Sequence, residues 1–118
     1  MPLTHTRTLA LALLLAGHAS LALAQAPAAP PTPGCVACAA WNADQAPFRI
    51  FGNTYYVGVK GLSSVLITSP QGHVLIDGGL PESAQKITAN IGALGFRIED
   101  VKLILNSHGH IDHAGGLA

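Results

Sequence analysis

Charge is scarce in this sequence. Six Lys and Arg side chains balance six Asp and Glu to a net charge of zero over 118 residues, and no cluster of basic residues occurs along the chain. A nucleic-acid partner requires a basic footprint, and an anionic lipid surface requires a polybasic patch. With neither present, the expected partner is a small molecule. Long apolar runs are missing too. The stretch Leu9 to Ala16 falls short of the roughly 20 apolar residues that a membrane span needs, and His18 interrupts its continuation. No internal repeat is visible.

Cysteine is almost absent. Cys35 and Cys38 are the only two, in a C-x-x-C spacing. Thioredoxin-like chemistry places that pair at the start of a helix in a βαβ setting, whereas here it follows a Pro-rich stretch. A two-Cys zinc site needs further ligands nearby, and none occur. Thr32-Pro33-Gly34 before Cys35 does not fit a lipoprotein cysteine. A local disulfide or a pair of thiols remains.

What is present begins with an export signal. Arg7 supplies the positive start, Leu9 to Ala16 the apolar segment, and Ala22-Leu23-Ala24 a small-x-small cleavage site that leaves Gln25 as the new N-terminus. Gly17-His18-Ala19 is a weaker alternative site. The expected organisation is a signal peptide over 1–24, an Ala/Pro-rich tether with the Cys pair over 25–40, and a partial domain over 41–118. The expected location is periplasmic or secreted, with no membrane attachment after cleavage.

From Trp41 the pattern turns strand-rich. Phe48-Arg49-Ile50-Phe51 alternates, Gly52-Asn53 marks a turn, and Thr54 to Val59 is rich in aromatic and β-branched residues. Ser64 to Thr68 and His73 to Asp77 form a hairpin about the turn residues Ser69-Pro70-Gln71-Gly72. Both strands are nearly continuous in apolar residues, which suits burial on both faces. The period then changes. Pro81 and Glu82 fit a helix start, Ala84, Ile87, Ile91 and Leu94 fall on one helical stripe, and Gly95 sits at a left-handed C-terminal cap. Val101 to Asn106 reads as another buried strand. A strand, a crossover helix and a strand favour a parallel pair, so the fold class is α/β with a mixed sheet. The pattern reaches Leu117-Ala118 about one turn into a new helix, without a stop signal. The buried-type strands also need a covering layer that these residues do not supply. The sequence is therefore expected to be the N-terminal part of a longer protein.

Three of the six histidines and one aspartate fall within His108-Gly109-His110-Ile111-Asp112-His113. Imidazole and carboxylate are zinc ligands. Leaving a strand, positions two apart point the same way, so His108 and His110 can converge on one ion. Asp112 and His113, at a helix start, point elsewhere and can address a second ion, and two-metal hydrolytic sites hold their ions about 3.5–4 Å apart. The motif also follows the C-terminal end of a strand, where open α/β sheets bind ligands. His5 and His18 belong to the leader and His73 opens a strand; all three read as non-functional.

H-x-H-x-D-H resembles the signature of the metallo-β-lactamase superfamily, which implies an αβ/βα sandwich of which this chain supplies the N-terminal half. The motif alone is shared with thioesterases, lactonases and nucleases. The stretch from Trp41 to Ala118 resembles the third subclass of class B β-lactamases. That resemblance rests on Trp41-Asn42, Pro47 to Ile50, Gly52 to Gly58, Gly61 to Ser63, Gly72 to Gly78, Leu80 to Ser83 and Leu103 to His108. The first subclass typically has Arg where His113 stands, and the second has Asn where His108 stands.

The resemblance implies two Zn²⁺ ions in the intact enzyme. His108 and His110 would hold the first, Asp112 and His113 the second, and a further histidine for each would come from later in the parent chain. It implies hydrolysis of the β-lactam amide, with Asp112 as the catalytic carboxylate that also orients the attacking water. Such a cationic site attracts the carboxylate that β-lactams carry. Asp77 would support the metal loop from beneath; a turn aspartate closing a strand is its other reading. A thioester or lactone hydrolase, or a weakly metal-binding or inactive fragment, are the alternatives. The 118-residue chain by itself is expected not to hydrolyse a carbapenem.

Overall fold

The computed structural model describes residues 29–117. The leader and the first residues of the tether lie outside them. Cys35 and Cys38 are joined in a disulfide, which settles the choice left open by their spacing. Cys38 is buried and opens a single-turn helix, α1 (Cys38–Trp41). This segment is tied to the body of the fold. The Thr32 N–H and hydroxyl donate to the Glu82 carboxylate at 3.1 and 3.0 Å.

Five strands form one sheet in sequence order: β1 (Phe48–Phe51), β2 (Thr54–Tyr56), β3 (Val65–Ile67), β4 (His73–Ile76) and β5 (Val101–Leu105). The first three pairings are antiparallel, with Tyr55 opposite Leu66 and Leu66 opposite Leu75. The β4–β5 pairing is parallel, with Leu75 opposite Ile104. The mixed sheet and the βαβ unit therefore stand as the sequence predicts. The second strand is shorter than its apolar run. After Tyr56 the chain turns at Gly58, where a Cβ would sit 2.5 Å from the Leu62 carbonyl oxygen. That close approach needs glycine.

The crossover is a 3-10 turn (Pro81–Ser83) followed by α2 (Ala84–Ala93). Gly95 follows its C-terminus at φ 84°, the left-handed conformation expected there. Ile87 and Ile91 on α2 pack with Val57, Leu66 and Leu75 of the sheet side, flanked by Tyr55, Leu94, Phe96 and Val101. Each fully buried aliphatic side chain contributes about 1.5–3 kcal/mol, so the α2–sheet contact is the cohesive centre. Asn90 adds a polar clamp. Its side-chain amide lies 3.2, 3.0 and 3.0 Å from the carbonyls of Gln45, Val57 and Gly58.

β5 reads as a buried strand whose covering layer these residues do not supply, and Leu103, Ile104 and Leu105 are accordingly 50%, 44% and 47% exposed. Only α2 and its flanks cover the sheet, and none of the described elements packs over β5 as a second layer. Among the described residues no helix is long and apolar enough to cross a membrane.

Candidate metal centre

The motif begins where β5 ends. Asn106 and Ser107 leave the strand, His108 to His110 run as loop, and α3 (Ile111–Ala114) takes up Asp112 and His113. His110 is the N-cap of α3, with extended backbone (φ −78°, ψ 160°). This break between extended and helical backbone explains how six residues present donors in two directions. The loop is docked by main-chain bonds onto the end of β4. The Gly78 N–H donates to the His113 carbonyl at 2.8 Å, and the Gly116 N–H to the Gly79 carbonyl at 3.1 Å. Gly116 is required here, because a Cβ would sit 2.2 Å from the Gly78 oxygen.

The four motif side chains form two pairs. His108 Nε2 and His110 Nδ1 are 2.9 Å apart. His113 Nε2 and Asp112 Oδ2 are 3.6 Å apart. Two donors sharing one tetrahedral zinc, at bonds of about 2.0–2.1 Å, stand about 3.3–3.4 Å from each other. The His108–His110 separation is that of a hydrogen bond between the rings, shorter than this spacing, and the Asp112–His113 separation is slightly longer. The pairs are neighbours, since the His108 and His113 rings lie 5.4 Å apart between centroids. Among the described residues no group of three or more His, Cys, Asp or Glu side chains is arranged to hold a metal.

Asp77 lies directly beneath. It is buried, 7% exposed, and at φ 61° it is the one non-glycine with positive φ among the described residues. Its carboxylate accepts the Ser107 N–H at 2.6 Å, the Ser107 hydroxyl at 2.5 Å and the His113 ring at 3.0 Å. A carboxylate only accepts, so the proton of the His113 ring sits on Nδ1. In the neutral ring the Nε2 lone pair then faces Asp112. A carboxylate behind an imidazole is the usual device that fixes tautomer and ring orientation at a metal ligand.

The electrostatics follow from these contacts. Burial pushes the Asp77 carboxyl up, but the bonds from Ser107 and His113 outweigh it and hold the group below its ordinary value. The hydrogen bond to Asp77 raises the His113 ring, burial opposes this, and the charges of Asp112 and Asp77 add to the rise. Metal binding and protonation compete for the same Nε2 lone pair.

Sequence reasoning singled out Asp77 and all four motif residues, and the fold brings these five together. It did not assign roles to Ser107 and Ser64, the partners of Asp77. A polar residue opening an apolar strand run, as Ser64 does, was the available signal. His73 is set apart, at the other end of β4. It accepts the Ser69 N–H at 3.3 Å and packs edge-on against Phe96. Both residues line a shallow cavity of about 490 Å³.

Residues 57–118 match the model of the Metallo-beta-lactamase superfamily, more than half of the chain. This chain belongs to that superfamily. Solved members resemble it closely. The Rm3 metallo-beta-lactamase is 91% identical, over 73% of this chain and 32% of its own, with a TM-score of 0.70. MEM-A1, a subclass B3 metallo-beta-lactamase from a soil metagenome library, is 70% identical over 65% of this chain and 29% of its own, with a TM-score of 0.65. SMB-1, solved with mercaptoacetic acid, is 56% identical over 65% and 30%, with a TM-score of 0.64. The chain thus spans about 30% of the length of these metallo-beta-lactamases. The third-subclass expectation agrees with these neighbours, and the five-stranded sheet and α2 match part of their fold.

Proposed function

We propose that the parent protein is an exported zinc β-lactamase of subclass B3, and that His108 and His110 hold one Zn²⁺ while Asp112 and His113 hold a second. The observation that carries this reading is the pairing of donor atoms: His108 Nε2 with His110 Nδ1, and Asp112 Oδ2 with His113 Nε2. His113 Nδ1 is held by a buried carboxylate, with Nε2 facing Asp112. The family match over residues 57–118 and identity to metallo-beta-lactamases support the substrate class.

Bound zinc acts as a Lewis acid and brings the pKa of a coordinated water close to neutrality. This chain's residues supply the setting. Asp77 and Ser107 fix the His113 ring. Asp112 places a carboxylate beside it, where it can orient the water that attacks the lactam carbonyl. The loop between β5 and α3 presents these donors at the strand's C-terminal end, open to a small molecule. The apolar leader over 1–24 supports delivery to the periplasm.

The test is hydrolysis of a carbapenem by the full-length protein, before and after chelation. Activity lost to a chelator and restored by Zn²⁺ is expected. Thioester or lactone turnover without β-lactam turnover would assign the protein to another branch of the superfamily.

A further inference from the structure

Asp77 adopts a backbone conformation that costs a non-glycine residue free energy, and such conformations persist only where their surroundings over-determine them. The side chain accounts for part of this, through Ser107 and His113. The main chain accounts for the rest. The Asp77 N–H donates to the Leu105 carbonyl at 2.9 Å. The peptide that follows, between Asp77 and Gly78, is gripped at both ends. Its carbonyl accepts the Ser64 hydroxyl at 2.6 Å, and its N–H donates to the His113 carbonyl at 2.8 Å.

Ser64 is 1% exposed. Its hydroxyl reaches across from the start of β3 to the end of β4, with the Ile76 carbonyl as a more distant second acceptor at 3.4 Å. A peptide that precedes glycine on its far side turns over readily, because glycine tolerates either sign of φ. Such a flip would point the Asp77 carbonyl and the Gly78 N–H the wrong way. It would break the bond from the Gly78 N–H to the His113 carbonyl.

We propose that Ser64 is a positioning residue for the metal centre: by holding the Asp77–Gly78 peptide in one orientation it fixes the main chain of His113, and so where its side chain starts. It touches neither substrate nor metal. The proposal rests on reading Asp112 and His113 as ligands of one ion, and it assigns to Ser64 a selective effect on that ion.

The experiment uses the full-length protein and Ser64→Ala, with Ser64→Cys as a size-matched variant whose thiol donates only weakly and Ser64→Thr to restore the hydroxyl. Two readouts are taken. In zinc-free protein, hydrogen exchange of the Gly78 amide should quicken about tenfold in the Ala and Cys variants while the β3–β4 ladder amides are unchanged. In zinc titrations, about a tenfold loss of affinity is expected, at the lower end of effects for groups behind metal ligands. It should fall on the ion lost in Asp112→Asn, with the ion lost in His108→Ala unaffected. If the Ala variant does not fold, the Cys variant decides. Unchanged Gly78 exchange, or exchange that quickens uniformly across the sheet with affinity lost equally at both ions, overturns the proposal. Zinc content untouched by Asp112→Asn overturns the ligand reading instead, and the zinc-free exchange measurement is independent of that result.

Discussion

The buried carboxylate of Asp77 accepts a hydrogen bond from the His113 ring at 3.0 Å, although 36 residues separate them. This contact ties the end of β4 to the start of α3. It decides which nitrogen of His113 is free. Removing the carboxylate frees the ring to rotate and to exchange tautomers.

Asp77→Ala is therefore expected to weaken zinc binding at Asp112 and His113 by about 10–100-fold, the usual cost of losing a group behind a metal ligand. Binding at His108 and His110 should change little. Titration of zinc-free full-length protein against a competing chelator measures both. Equal loss at both ions would show that Asp77 acts only through overall stability.

The same carboxylate sets an acid limit. Its folded-state pKa is lowered from an ordinary 3.8, so its contribution to stability is complete above that value. It is lost as pH falls through the lower folded value. His113 has the opposite sign: its ring is raised from 6.5, so its contribution in zinc-free protein is present below that value and lost as pH rises through the raised one. Denaturation of zinc-free protein across pH should show both limbs. Asp77→Asn should flatten the acid limb.

Asn90 predicts a purely structural effect. Its amide nitrogen reaches three carbonyls that tie α2 to the loops around Gln45 and Gly58. Asn90→Ala leaves partly buried carbonyls unsatisfied, which costs about 1–3 kcal/mol. The expected result is a lower denaturation midpoint with zinc stoichiometry unchanged. A stable variant would mean that solvent satisfies these carbonyls instead.

The fold was legible where one rule acted alone. Ile87 and Ile91 repeat at helical spacing and pack on Leu66 and Leu75. Gly95 marked the end of α2, and the βαβ unit followed from the change of period. An apolar strand states what it can bury against, and the described residues supply no second layer for β5; Leu105 is 47% exposed. The clustering of His108, His110, Asp112 and His113 was legible because four possible donors fall within six residues. The roles of Ser64 and Ser107 were not, because their bonds to Asp77 join residues 13 and 30 positions apart. No local pattern records such a contact. The Cys35–Cys38 pairing was open in the sequence because spacing permits a disulfide without requiring one.

On the proposed reading, the 118-residue polypeptide carries two of the donors for each ion. Such a site should bind zinc far more weakly than a full-length enzyme, whose catalytic zinc commonly has three protein ligands. Equilibrium dialysis of both forms measures the difference, and carbapenem turnover is expected only from the full-length form. Zinc-dependent turnover by the 118-residue polypeptide would contradict the need for further ligands.

The most direct test of the central claim is the zinc content of full-length protein after dialysis, for wild type, Asp112→Asn and His108→Ala, with carbapenem hydrolysis measured on the same samples. The account predicts two zinc ions in the wild type, one in each variant, and a large loss of turnover in both. Two ions retained in both variants, with turnover intact, would contradict it.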